Sequence, residues 1–103
     1  MIQKSSSDMS ESEIQRSIID YCTISGALVF RLNSGHSGRH NVKLHPPGTP
    51  DLFVVKKPVA IWIEVKTAKG KVSEIQHKMH ERLTELGQVV IVARSLDDVK
   101  GLI

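Results

Sequence analysis

Several things are missing from this chain of 103 residues, and each absence removes a class of protein. Its longest apolar stretches, Val59 to Ile63 and Val89 to Ala93, fall far short of the ~20 residues that cross a bilayer. No transmembrane helix, and so no membrane partner, is expected. The first ten residues, Met1 to Ser10, are polar and serine-rich, without the apolar core of a secretory signal, which predicts a cytoplasmic protein. The only cysteine is Cys22, so an internal disulfide is excluded. Its place in an apolar helical stripe predicts a buried thiol without redox or nucleophilic work. A large charge excess is also lacking: the formal balance of +3 rules out a histone-like tail or a purely electrostatic DNA coat. There is no internal repeat and no composition break that would mark a second domain. The expectation is a flexible tail over 1–10 and one folded domain over 11–103 with a single core.

The distribution of charge is more informative than its total. Residues 1–30 and 72–103 are each slightly acidic, whereas residues 31–71 carry eight basic side chains against two acidic ones, a local balance of +6. The two acids in that basic middle are Asp51 and Glu64, and they call for an explanation.

Apolar spacing gives the elements. Ile14, Ile18, Ile19 and Cys22 recur at helical intervals behind serines and before Gly26, which predicts a helix over 11–25. Ala27 to Leu32 suits a strand, and Asn33 to Pro50, with its glycines, prolines and three histidines, reads as a long polar loop. Loops of that length inside a small domain are usually functional or disordered. Asp51 to Val55 and Val59 to Lys66, separated by Lys56, Lys57 and Pro58, read as a β-hairpin. A second polar loop, Thr67 to Val72, leads to a helix in which Ile75, Met79, Leu83 and Leu86 share a face, from an N-cap at Ser73 to a stop at Gly87. Val89 to Ala93 is a further strand, and Ser95 to Leu102 a short capped terminal helix. The order α-β-β-β-α-β-α predicts an α/β domain.

Side chains two apart on a strand share a face, so Glu64 and Lys66 point one way while Val65 points the other. A hairpin register that set Asp51 opposite them would bring two carboxylates and a backbone carbonyl to one point, with a lysine beside them. Oxygen-only ligation of that kind suits Mg2+ or Mn2+, hard cations that keep waters and accept phosphate oxygens. Taken alone, Glu64 and Lys66 would be an ordinary exposed ion pair worth ~0–1 kcal/mol. The joint pattern of Pro50-Asp51, a hairpin of fitting length and Glu64-x-Lys66 argues for more.

Gly48-Thr49-Pro50-Asp51-Leu52, followed by Ile63-Glu64-Val65-Lys66 and Ser73-x-x-Gln76, resembles the PD-(D/E)xK nuclease superfamily, and within it the VRR-NUC family of small nucleases of phages and bacteria. The resemblance spans roughly residues 10–100. It implies a restriction-endonuclease-like domain, a mixed β-sheet flanked by helices. It also implies that Asp51, Glu64 and the backbone carbonyl of Val65 bind the metal, with Lys66 as the catalytic lysine. Glu13 matches an acid that such nucleases place on the first helix near the metal or its waters, and Gln76 a glutamine beside the site. Arg31 and Asn33 match polar positions facing the cleft or the DNA.

Glu13 and Gln76 have a competing explanation, because Ser10-x-x-Glu13 and Ser73-x-x-Gln76 both fit the helix capping box. His36, His40 and His45 invite a zinc reading, yet they lack the paired Cys/His spacing of structural sites. His77 and His80 read as surface groups. Trp62, within an apolar strand, reads as core or interface, although alternation puts it on the face of Glu64. The function expected is a Mg2+- or Mn2+-dependent DNA endonuclease, with Arg39, Lys43, Lys69 and Lys71 in the basic loops holding the phosphate backbone. Nothing resembles a base-reading helix, so recognition of DNA shape is expected, with a homodimer on four-way junctions as the leading version. The alternatives are a flap, nicking or restriction-type nuclease, and a DNA-binding module with a nuclease fold that does not cleave.

Overall fold

The first helix, α1 (Glu11–Ile24), forms where the apolar spacing predicts it. A computed structural model of the chain describes residues 8–32 and 45–103. Ile14, Ile18 and Cys22 lie one turn apart on α1 and are fully buried. Its start is fixed by a complete capping box: the Ser10 hydroxyl accepts from the Glu13 amide, and Glu13 Oε1 accepts from the Ser10 amide, both at 3.1 Å.

Four strands follow the expected order: β1 (Leu28–Arg31), β2 (Leu52–Lys56), β3 (Val59–Val65) and β4 (Val89–Ala93), with α2 (Glu74–Glu85) between the last two. They form one mixed sheet in the order β1-β2-β3-β4, antiparallel across the first two pairings and parallel between β3 and β4. The parallel pairing requires a crossover, and α2 supplies it. Period-two alternation sorts the faces. Leu52, Val54, Ile61, Ile63 and Val65 point to one side, where they bury against Ile14, Ile18 and Cys22 of α1 and against Val99. The intervening residues point to the other side, where Phe30, Phe53 and Trp62 line up across three strands with ring centroids 6.3 and 4.5 Å apart.

Two expectations are corrected. The chain after β4 is not a capped helix over Ser95–Leu102 but a single 3-10 turn, Leu96–Asp98. Ser95 makes no side-chain cap, and Asp98 turns back to accept from the Arg94 amide at 2.8 Å. Gly101, at φ +91, ends any continuation. The expected apolar face of α2 is only half engaged: Met79 and Leu83 are half-buried, whereas Ile75 and Leu86 are exposed. Among the described residues no helix is long and apolar enough to cross a membrane, and Cys22 is a buried free thiol whose pKa is pushed up by burial.

Candidate active site

The hairpin register sets the site. Leu52 pairs with Ile63 and Phe53 with Trp62, so Asp51, one step before β2, falls level with Glu64. The turn preceding it is seated against the start of α2. Gly48 has φ +84, and a Cβ there would stand 2.6 Å from the Ile75 carbonyl oxygen, so the close approach admits only glycine. Asp51 then fastens itself to the partner strand, its Oδ2 accepting from the Val65 amide at 2.7 Å.

Glu64 is one of two buried polar side chains among the described residues, the other being Gln15 on α1. Its oxygens are held from α2. Gln76 Nε2 donates to Oε2 at 3.1 Å, and His80 Nε2 lies 3.3 Å from Oε1. Gln76 meets both sequence readings at once. Its Oε1 accepts from the Ser73 amide at 2.9 Å, closing the capping box, while the other end of the same amide reaches Glu64. Burial pushes the Glu64 carboxyl up to about 8, reinforced by the charge and hydrogen bond of Asp51 and, more weakly, by Glu11, with the Lys66 ammonium opposing. These causes place Asp51, Glu64 and Lys66 in one electrostatic cluster. Lys66 is anchored at the end of β3 by its amide, which donates to the Ala93 carbonyl at 3.0 Å.

Glu13 occupies the capping box, and no three His, Cys, Asp or Glu side chains among the described residues form a ready metal cage. The α1 acid whose charge reaches Glu64 is Glu11. It also lines a cleft with Ser12, Gln15, Arg16, Ile19 and Arg31, which puts Arg31 beside the α1 end of the site. The reading of His80 as a surface group is corrected, since its side chain is only 13% exposed and burial lowers its pKa. Helical spacing held the signal: Gln76 and His80 are four apart, so a site that attracts one attracts both. Glu11 and Gln15 share a helix face in the same way.

Lys69 and Lys71 lie in the loop after β3, which Arg94 organises. Its Nη1 donates to the carbonyls of Thr67 (2.8 Å), Ala68 (3.3 Å) and Gly70 (2.6 Å). Trp62 is half-buried against Phe53 and donates its indole N–H to Gln88 Oε1 at 2.9 Å, in keeping with a packing role. Asn33, Arg39 and Lys43, with His36 and His40, fall outside the described residues.

A mixed sheet with helices on both faces, presenting Asp51, Glu64 and Lys66 where its central hairpin ends, defines a nuclease-like α/β domain. The chain superposes on a solved structure described as a VRR_NUC domain with a TM-score of 0.68, at 28% sequence identity over 89% of this chain and 91% of that one. No family model matches the sequence, and no curated protein matches it. The structural match and the motif the chain carries support membership of the VRR-NUC family and a nuclease-type function.

Proposed function

We propose that this chain is a divalent-metal-dependent DNA endonuclease, with Mg2+ or Mn2+ held by Asp51, Glu64 and the backbone carbonyl of Val65. The observation that carries the reading is the carboxylate pair itself. Glu64 is buried beside Asp51 with its pKa raised to about 8, so at neutral pH it keeps a proton that a cation would displace. The donor set is oxygen-only and hard, which fits Mg2+ or Mn2+. Such an ion, when bound, lowers the pKa of a water and neutralises charge developing on a scissile phosphate.

The chain's own residues do the rest. Lys66, on the face of Glu64, supplies a mobile positive charge for the attacking water or the developing phosphorane. Glu11 adds negative charge from α1, and Glu13 on the same turn is the further acid that contacts the metal directly or through water. Arg31 on the cleft side and Lys69 and Lys71 on the Arg94-braced loop hold the phosphate backbone, and Asn33, Arg39 and Lys43 are further DNA contacts of the same reading.

Four-way junction DNA is the leading substrate, cut by a homodimer. One chain has one such site, and two strands need two. The sheet face opposite α1 supports self-association: Leu28 and Phe30 are 60% and 45% exposed there, an apolar area of the kind that copies of a chain cover. Labelled duplex, flap, splayed and four-way junction DNAs, each with Mg2+, Mn2+ or EDTA, test the reading. Paired symmetric incisions of the junction with metal, abolished in Asp51→Asn and Lys66→Ala, are the expected result. Cutting of one flap strand would replace the junction reading with a flap nuclease. Salt-sensitive binding without cleavage in either metal refutes the endonuclease. Light scattering on the protein alone checks the dimer, and a monomer at working concentration overturns it.

A further inference from the structure

We infer that His80 is a positioning residue for Glu64, the second half of a two-point clamp that α2 places on that carboxylate. The inference rests on the metal reading above and deepens it.

A carboxylate held at one oxygen can still swing about its Cγ–Cδ bond, whereas one held at both oxygens has its plane fixed. In this chain both contacts come from one helical turn. Gln76 Nε2 meets Oε2 at 3.1 Å, and His80 Nε2 meets Oε1 at 3.3 Å. The helix is itself indexed to the site, because the Ser73–Gln76 capping box fixes its first turn and the Gly48 turn seats against Ile75. One turn further on, the His80 carbonyl accepts the Thr84 hydroxyl at 2.8 Å, and the ring stands edge-on to His77 at 6.5 Å. With side chains 13% and 2% exposed, His80 and Glu64 meet where water has little access. The ring thus touches the ligand rather than the cleft, and its effect on a bound cation passes through Glu64. Partners of this second kind typically account for 10–100-fold in metal affinity.

Mn2+ binding to the full-length protein, followed by the loss of the free-ion electron paramagnetic resonance signal, tests the assignment. His80→Asn keeps a polar side chain but is too short to reach Glu64, so Mn2+ affinity is expected to fall by ~10–100-fold. His80→Gln extends an amide N–H to about the position of Nε2 and is expected to restore affinity to within about threefold. With metal limiting, kcat should follow the same pattern while the KM for DNA stays at its wild-type value. Wild-type affinity in His80→Asn, with the fold intact by circular dichroism, overturns the proposal. So does failure of His80→Gln to recover affinity, which would make the imidazole irreplaceable as a ligand. Wild-type protein that takes up no Mn2+, or Asp51→Asn that binds it as well as wild type, overturns the metal reading itself. That result is distinct from a wild type that binds while the His80 variants are unchanged.

Discussion

Glu64 should make the metal-free protein less stable as the pH rises. Its carboxyl titrates at about 8 in the fold against an ordinary 4.5, so between those values the folded state holds a proton that the unfolded state has released. Stability then falls with pH at about 1.4 kcal/mol per unit, and by about 5 kcal/mol once both states are ionised. Between about pH 5.5 and pH 7.5 the loss is about 3 kcal/mol, or roughly 10 °C or more in Tm for a domain of this size. Glu64→Gln keeps the shape and cannot ionise, so it removes this slope. The assay is thermal or urea unfolding in EDTA across that range, read as the difference between wild type and variant. His80, whose pKa is lowered, contributes in the opposite sense below its ordinary 6.5: its stability contribution is gained as the pH rises out of the acid range. Repeating the pair in a His80→Gln background removes that contribution. Parallel pH profiles for wild type and Glu64→Gln would refute the reasoning, because they would mean that Glu64 titrates alike in both states. Addition of Mn2+ should flatten the wild-type slope and leave Glu64→Gln unchanged, since the cation takes the place of the proton.

Three further outcomes follow from the geometry. Lys66→Met should leave the unfolding free energy within about 1 kcal/mol of wild type while lowering kcat by ~10²–10³, as removal of one positioned transition-state charge does; single-turnover cleavage checks this. Gly48→Ala should destabilise by about 2 kcal/mol or more, because φ is +84 and the new Cβ would meet the Ile75 carbonyl, and urea unfolding measures the loss. Arg94→Ala removes three charge-assisted bonds to the loop that carries Lys69 and Lys71. It should cost about 2–3 kcal/mol and weaken DNA binding, with a shallower dependence of affinity on salt than wild type in a binding titration.

The elements whose residues answer to local rules were legible in the sequence. The α1 stripe, the hairpin with its Asp51 and Glu64, the Ser73 cap and β4 all form within about a residue of expectation, because each rests on its own periodicity or turn chemistry. What escaped depends on tertiary neighbours. His80 reads as a surface residue until α2 is laid across the sheet, and its burial follows from where β3 delivers Glu64. Ser10-x-x-Glu13 marks the capping box in the sequence, but that the charge of Glu11 reaches Glu64 depends on how α1 lies beside the sheet. Gln76 looked like a choice between cap and site because a side-chain amide was treated as one group; its oxygen and nitrogen serve different partners. After β4, Leu96 and Val99 are apolar at a spacing of three, which a 3-10 turn satisfies as well as an α-helix.

The site is held together by bonds that do not depend on a cation, and that arrangement shapes what a cation would do. Two carboxylates within ~4 Å at an effective dielectric of ~20 repel by about 4 kcal/mol when both are charged. In this fold they cannot move apart easily: Asp51 is tied to the Val65 amide, and Glu64 is gripped by Gln76 and His80. The sheet beneath them is fixed by the packing of Ile61, Ile63 and Val65 against α1. Burial, with the neighbouring Asp51 charge adding to it, keeps a proton on Glu64 near neutral pH and so relieves the repulsion. A divalent cation relieves it better, since it neutralises both charges and competes with one proton instead of with a rearrangement of the backbone. Affinity for Mg2+ or Mn2+ should therefore climb up to about tenfold per pH unit below about 8 and level off above it, a profile set by the burial that makes Glu64 a weak acid in the absence of metal.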